Sequence, residues 1–224
     1  MPLCKCGGGI GVVMIKKSKL LIVITSLVTL LPILVGLILW NELPSQVATH
    51  FGVDGQPDGW SSKTMAVFFL PILILIIHWL CAFITGLDPK KNNISRKVYA
   101  AVLWICPIVS VIVGFLIYSP YLGLEINALF AVHVLLAIMF IVLGNYMPKC
   151  KQNYTIGYKI SWTLEDEDNW NKTHRFAGML WVIGGLVLLA NLFLLNLVIT
   201  VVVLIVLSIA PIVYSGVYYA RKKK

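Results

Sequence analysis

Charge is what this chain has least of. Only 12% of its 224 residues are Asp, Glu, Lys or Arg, and its mean hydropathy is +0.91, whereas a soluble domain carries about twice that charged fraction. A water-soluble globular fold is excluded. The long apolar runs contain almost no acidic residue, so no buried carboxylate pair marks an ion pathway. The chain also lacks H-E-x-x-H, G-x-S-x-G and G-x-x-x-x-G-K, which removes the familiar zinc, serine-nucleophile and phosphate-cradling sites. An enzyme is not expected, and neither is a cofactor. Short segments of alternating polarity are missing as well, which argues against an outer-membrane barrel. The five cysteines, Cys4, Cys6, Cys81, Cys106 and Cys150, form neither an even disulfide framework nor a zinc-type pattern.

Apolar residues are abundant, at 59%. They gather into six runs, about 19–40, 65–86, 98–119, 126–147, 176–195 and 197–219, each near the ~20 residues that a helix needs to cross ~30 Å of hydrocarbon. The fold expected is an all-α membrane protein, a six-transmembrane-helix bundle embedded in the lipid bilayer. Very short connections make the third and fourth spans, and the fifth and sixth, antiparallel hairpins. Pro32, Pro71, Pro107 and Pro211 lie within or near spans, where kinks rather than breaks are expected.

The formal charge of +9 would suggest nucleic acid in a soluble protein, but here the basic residues cluster between apolar runs. No direct nucleic-acid contact is expected. Of the 18 Lys and Arg, all but Lys63 fall on one side of the six-span topology, in clusters at 5–19, 90–97, 149–175 and 221–224. By the positive-inside rule that side is cytoplasmic, with both termini inside and the 41–64 loop outside. Domain organisation follows: a cytoplasmic segment 1–18, two spans with an outer loop over 19–86, and a four-span region over 87–224 with an inner loop at 148–175. Met14, followed by Lys16, Lys17 and Lys19, reads as a natural start of a membrane protein, which makes residues 1–13 suspect as native sequence.

Two loops are too rich to be connectors. In 41–64, Gly52, Gly55, Gly59, Pro44 and Pro57 dictate turns, so a compact, non-helical segment is expected. Ser61 or Ser62 can cap the second span, and Trp60 with Lys63 suits the headgroup layer. His50, Asp54 and Asp58 would form one metal-ligating face only on a helix, which the glycines forbid; local hydrogen bonding and recognition of an external ligand remain, and no metal is assigned. In 144–175, Thr163 can cap a helix whose first turn carries Glu165, Asp166, Glu167 and Asp168. Trp170, His174 and Ala177 then share a face, as a membrane-surface anchor or a docking surface. Within the spans, His78 and His133 differ in depth by about 9 Å, so separate hydrogen bonds to neighbouring helices are expected rather than a pair. Gly178 and Gly185 read as helix-packing residues.

Both loops carry a resemblance. The run Leu43-Pro44, His50-Phe51-Gly52, Gly55, Pro57-Asp58-Gly59-Trp60 and Lys63 resembles the outer signature of a bacterial domain of unknown function found at the start of SdpI-type membrane proteins. The run Gly144-Asn145, Pro148, Lys151, Asn153, Ile156-Gly157, Trp162-Thr163-Leu164, Trp170, Thr173-His174-Arg175 and Gly178 is similar to the second signature of that family, and the likeness extends from about residue 19 onward. It implies an immunity protein that protects a bacterial cell from a secreted toxic peptide and recruits a cytoplasmic winged-helix repressor. On that basis His50, Phe51, Asp54, Asp58, Trp60 and Lys63 are the expected toxin-facing residues. Lys159, Trp162, Trp170, His174 and Arg175 are the expected partner-binding ones. Where the family often has Arg-Thr-Pro, this chain has Lys159-Ile160-Ser161, and Lys lacks the planar fork of Arg. The alternative reading is a small multi-pass transporter or channel-like protein.

Overall fold

The computed structural model describes the backbone of residues 9–223 and the side chains of 18–223; Cys4 and Cys6 lie outside the described residues. In chain order the elements are α1 (Gly9–Ile38), β1 (Gln46–Phe51), β2 (Pro57–Ser62), a wide π-type turn (Met65–Phe69) running into α2 (Leu70–Leu87), α3 (Arg96–Tyr118), α4 (Ala128–Tyr146), α5 (Ser161–Glu165), α6 (Glu167–Ala190) and α7 (Leu197–Lys222). Six helical stretches of 21 to 27 residues are long and apolar enough to cross a membrane: those of α1, α2, α3, α4, α6 and α7. Their outward faces stay apolar, with Ile38, Phe83, Val198 and Ile209 more than half exposed. Lipid is the solvent such faces require.

Packing divides the bundle after α3, one helix later than a division at residue 87. α1, α2 and α3 pack on one another; α6 lies between α4 and α7; a lighter α3–α4 contact joins the halves. Within each half, small residues let backbones approach. A Cβ at Gly114 would come within 2.6 Å of Pro32 on α1, and one at Gly178 within 2.7 Å of the Gly144 carbonyl on α4. Gly185 similarly faces the Ala137 carbonyl at 2.8 Å. Close crossing takes the place of a hydrophobic drive that lipid cannot supply.

Local signals set the helix ends. Ser95 accepts from the Val98 N–H, Asn127 from Phe130, and Asn196 from both Val198 and Ile199, satisfying donors that a first turn leaves free. The fifth span begins nine residues before the expected 176, because α6 is one continuous helix from Glu167. Its cap is Asp166, whose carboxylate accepts from the Asp168 N–H at 3.0 Å, not Thr163. Thr163 instead closes the start of the separate short α5, accepting from the Ile160 N–H at 3.0 Å. The 41–64 loop is a two-stranded antiparallel hairpin, regular structure that its glycines and prolines had concealed.

The intramembrane histidines answer to separate partners. His133 Nδ1–H donates to the Leu129 carbonyl at 2.7 Å, so its Nε2 accepts from the Thr200 hydroxyl on α7 at 2.7 Å. On the other half, the Thr25 hydroxyl is spent on the Leu21 carbonyl at 2.8 Å and accepts from His78 Nε2 at 3.0 Å. His78 Nδ1 is thereby left as a lone pair without a partner.

The α4–α6 crossing yields a test. Gly178→Val should cost about 1–3 kcal/mol or block folding, because the added carbons meet backbone that cannot retreat. Gly216→Ala, whose new carbon meets only Trp162 at 3.7 Å, should be neutral or slightly stabilising. Thermal unfolding of both variants in detergent distinguishes them; equal melting temperatures would show that α4 and α6 do not approach this closely.

Candidate functional site

Two structured loops sit at opposite ends of the bundle. At one end the hairpin pairs Gln46 with Ser62, Val47 with Ser61 and Ala48 with Trp60, then slips at a bulge so that His50 faces Gly59. A side chain at 59 would strike His50 Cβ at 2.9 Å, so glycine is what allows His50 to lie across the strand. The turn is closed by Gly55 N–H to the Gly52 carbonyl at 2.9 Å and by the Asp54 carboxylate accepting from the Gln56 N–H at 3.0 Å, with Gly55 at φ +78°.

The hairpin is rooted on one side only. Val47 is fully buried against Leu39, Leu43, Val67, Ile117 and Tyr118. Lys63 donates from Nζ to the Trp40 and Leu43 carbonyls at 2.9 and 3.3 Å and lies 4.7 Å over the Trp40 ring. It finishes the C-terminal end of α1, where a cation is favoured, so the Lys63 ammonium is engaged inside the protein. Ser62 accepts from the Met65 N–H at 3.3 Å, a cap for the second span. On the outer side His50, Asp54, Asp58 and Trp60 are exposed and Phe51 is half-buried. His50 Nδ1 bonds the Asp58 carboxylate across the strands; an exposed pair of this kind adds only about 0–1 kcal/mol, so it is not what keeps the hairpin folded. The hairpin tip reaches the other half of the bundle, since a Cβ at Gly55 would meet Leu129 at 3.1 Å and Asn127 at 3.3 Å.

At the opposite end, the end of the chain termini, residues 150–165 fold down onto α6. The Trp170 indole N–H donates to the Cys150 carbonyl at 2.7 Å and its ring stacks on His174 with centroids 4.0 Å apart. His174 Nδ1–H donates to the Trp170 carbonyl at 2.8 Å, which fixes the tautomer so that Nε2 accepts from the Tyr158 N–H at 3.1 Å. A Cβ on Gly157, at φ +112°, would overlap His174 Nε2 at 2.1 Å. Only glycine fits there. Asn153 is wholly buried and spans its own turn, accepting from Thr155 and Ile156 and donating to the Lys151 and Ile156 carbonyls at 2.7–3.1 Å.

Residues outside the sequence-based set complete this latch. Asp88, at the end of α2, is buried and accepts from the Lys90 and Tyr154 N–H groups and the Thr155 hydroxyl at 2.7–2.8 Å. Gln152 donates to the Thr163 and Leu164 carbonyls at 2.9 Å. The Tyr158 hydroxyl donates to the Leu207 carbonyl on α7 at 2.6 Å and accepts from the Trp181 N–H at 2.9 Å. Asn169 bridges to Ser215 on α7 through its side-chain amide. The one hint available beforehand was that so many amide and hydroxyl groups stood beside apolar spans.

Among the expected partner-binding residues, Trp170 and His174 are therefore interior, at 0% and 1% exposure, and touch no solvent as the protein stands. Trp162 is half-buried beside Tyr219, while Lys159 and Arg175 are exposed. Near the same end, between the halves, lie two apolar cavities of about 480 and 390 Å³ that share Ala101, Ile105, Leu143 and Tyr146 as a wall.

The comparisons with known proteins fit this layout. The model of the SdpI/YfhL protein family matches residues 149–215, the latch with α6 and most of α7. That of a domain of unknown function, DUF1648, matches residues 27–75, the hairpin with its flanking helices. Immunity protein SdpI of Bacillus subtilis (strain 168) is 24% identical over 206 residues, which cover 89% of this chain and 96% of that protein. No solved structure matches. The chain is thus similar to the SdpI/YfhL family over its last two spans and to Immunity protein SdpI over most of its length, and its six apolar helices make it a multi-pass protein of the bacterial membrane.

Burial gives Cys150 a measurable signature. Desolvation pushes its thiol up to about 11, against a partial lowering by the Asn153 amide. The folded value exceeds the unfolded one of ~8.5, so the contribution to stability is present in full below that pH and is lost as pH rises toward 11. In a chain whose other cysteines are serine, Cys150 should label far more slowly with a thiolate-directed reagent at pH 8 than a cysteine placed at exposed Lys151. Gly157→Ala should break the Tyr158–His174 bond and bring Cys150 to the rate of the Lys151→Cys site. Unchanged protection in that variant would separate the latch from His174.

Proposed function

We propose that this chain is an SdpI-family immunity protein, with both termini in the cytoplasm, that protects its own membrane from a secreted membrane-active peptide. The observation that carries this reading is the hairpin: a ligand-accessible His50–Asp58 pair, Asp54 and Trp60 presented on strands whose opposite side is anchored by Val47 and Lys63. Likeness over 96% of the Bacillus subtilis immunity protein supports the same assignment. In this reading the chain is not an enzyme and needs no cofactor. Phe51 and Trp60 supply apolar contact, and the hydrogen-bonded His50–Asp58 pair supplies orientation. Apolar walls in the cavities between the halves offer no path for a polar solute, which disfavours the transporter reading.

The other face carries signalling to a cytoplasmic winged-helix repressor, through exposed Lys159 and Arg175 with half-buried Trp162. Trp170 and His174 act from within, by fixing the latch that presents those three. Coupling requires two bundle arrangements to which the peptide binds unequally. The element common to both faces is α4: the hairpin tip lies against its first turn, and its last turns cross α6 beside the latch.

Orientation is tested first. In a cysteine-free background, Ser45→Cys should label with an impermeant thiol reagent in intact cells, and Lys159→Cys only after the membrane is opened; the reverse order, or equal labelling, overturns the topology. Function is tested by killing assays on cells exposed to the peptide. At wild-type protein levels, Trp60→Ala should lower the peptide dose that cells survive about tenfold or more, as loss of an interface tryptophan does, with smaller losses for His50→Ala and Asp58→Ala. Lys159→Ala with Arg175→Ala should preserve protection and weaken membrane recruitment of the repressor. Full protection after all three hairpin substitutions would move the capture surface off the hairpin.

A further inference from the structure

The α3–α4 seam holds a trough that neither loop uses. It runs along α3 from Lys97 to Ile108 and along α4 from Tyr146 back to Leu135, eleven helical steps on each, or about 17 Å at ~1.5 Å per residue. That is roughly half of the ~30 Å hydrocarbon thickness, starting at the face of the chain termini and ending near the midplane. One leaflet has this depth. The trough encloses about 390 Å³ and continues past Ala101 and Ile105 into the 480 Å³ cavity, both within the ~300–1,000 Å³ of ordinary ligand sites. Its rim residues Ile108, Ile138 and Val142 are 46%, 53% and 44% exposed on the apolar girdle of the bundle, so it opens sideways to hydrocarbon and not to water.

The end of the trough is cationic. Lys97 stands in its wall, and Lys149 lies 5.2 Å over the ring of Tyr146, which lines both cavities. Because α3 and α4 are antiparallel, the start of one and the exit of the other bring these two lysines to the same end. Neither is paired with a carboxylate among the described residues. Exposed Arg96 adds to the same cluster. An occupant must thus be apolar over one leaflet, anionic at the leaflet surface, and able to arrive from the bilayer.

We propose that this trough is a binding site for one anionic phospholipid, with an acyl chain between α3 and α4 and the phosphate on Lys97 and Lys149. Basic pockets between membrane helices select anionic head groups in this way. The bound chain fills space at the light contact between the two halves and so ties them together. The site stands independently of the immunity reading.

The test uses the full chain purified in a non-ionic detergent, with phosphatidylglycerol or phosphatidylcholine of the same acyl length added, and counts retained lipid by native mass spectrometry. One phosphatidylglycerol per protein should survive gentle activation, retained about thirtyfold over phosphatidylcholine, the scale that two lysines at a membrane surface supply. Lys97→Gln with Lys149→Gln should abolish the preference while leaving thermal unfolding in lipid-free detergent unchanged. Ala101→Trp, which fills the wall shared by both cavities, should reduce retention of both lipids. Equal retention of the two lipids by the unaltered protein, or a preference that survives the double substitution, overturns the proposal. A dimer sensitive to Ala101→Trp in place of lipid adducts would assign the trough to a second copy and overturn it as well.

Discussion

A polar group at membrane depth has no water to turn to, so its partner must come from the protein itself. This constraint orders the structure. His133 closes on Thr200 and on its own helix, His78 on Thr25, and Ser110 on the Thr29 carbonyl beside Pro32. The bonds to Thr200, Thr25 and Thr29 each cross between helices of the same half, and each fixes a rotation that apolar packing against lipid would leave loose. The same demand explains residues 150–165, an irregular stretch folded against membrane helices. Asn153, Gln152, Asp88 and Thr163 are spent on backbone groups that would otherwise be buried without partners.

The second family signature takes on a physical meaning in that light. Asn153, Gly157, Trp170, Thr173, His174 and Gly178 are not a surface; Asn153 shapes the loop, Gly157, Trp170 and His174 fasten it to α6, Gly178 seats α6 on α4, and Thr173 supports the Asn169 bridge to α7. Removing one would leave others unpaired in a low-dielectric interior, where each orphan costs about 1–3 kcal/mol. What the latch exposes is a smaller set that includes Lys159 and Arg175. The hairpin is organised the opposite way. Its signature glycines and prolines shape a turn held by one buried valine and one lysine, and its chemistry points away from the fold.

These two designs meet in α4. Its first turn borders the hairpin tip, its middle faces Gly185 of α6, and its end lies against Gly178 and the latch. A Cβ added at Gly178 or Gly185 would come within 2.7–2.8 Å of an α4 carbonyl, so the backbones already sit too close for α4 to shift far without moving α6. A trough open to lipid lies along the other side of α4, where contact with α3 is light. Rigidity on one flank and compliance on the other suit a helix that links two faces of a membrane.

Hydropathy alone determined the six spans, because a bilayer demands about twenty apolar residues per crossing and tolerates few charges within them. Separate partners for His78 and His133 followed from their unequal depths, and Gly178 and Gly185 as packing residues from the absence of any other use for glycine in a helix. The compactness of the 41–64 loop was legible from its turn formers; its strands were not, because Pro57-Asp58-Gly59 reads as turn and its pairing with His50 and Phe51 depends on a bulge. The sixteen residues after α4 were the least legible. Trp170 and His174 share a helical face by spacing, but spacing cannot say whether that face meets water, lipid or protein. Only tertiary structure decided it, by laying Cys150 and Tyr158 over that face and by bringing Asp88 from the end of α2 to hold Tyr154 and Thr155 between them, since burial belongs to the surroundings a residue is given and not to the residue itself.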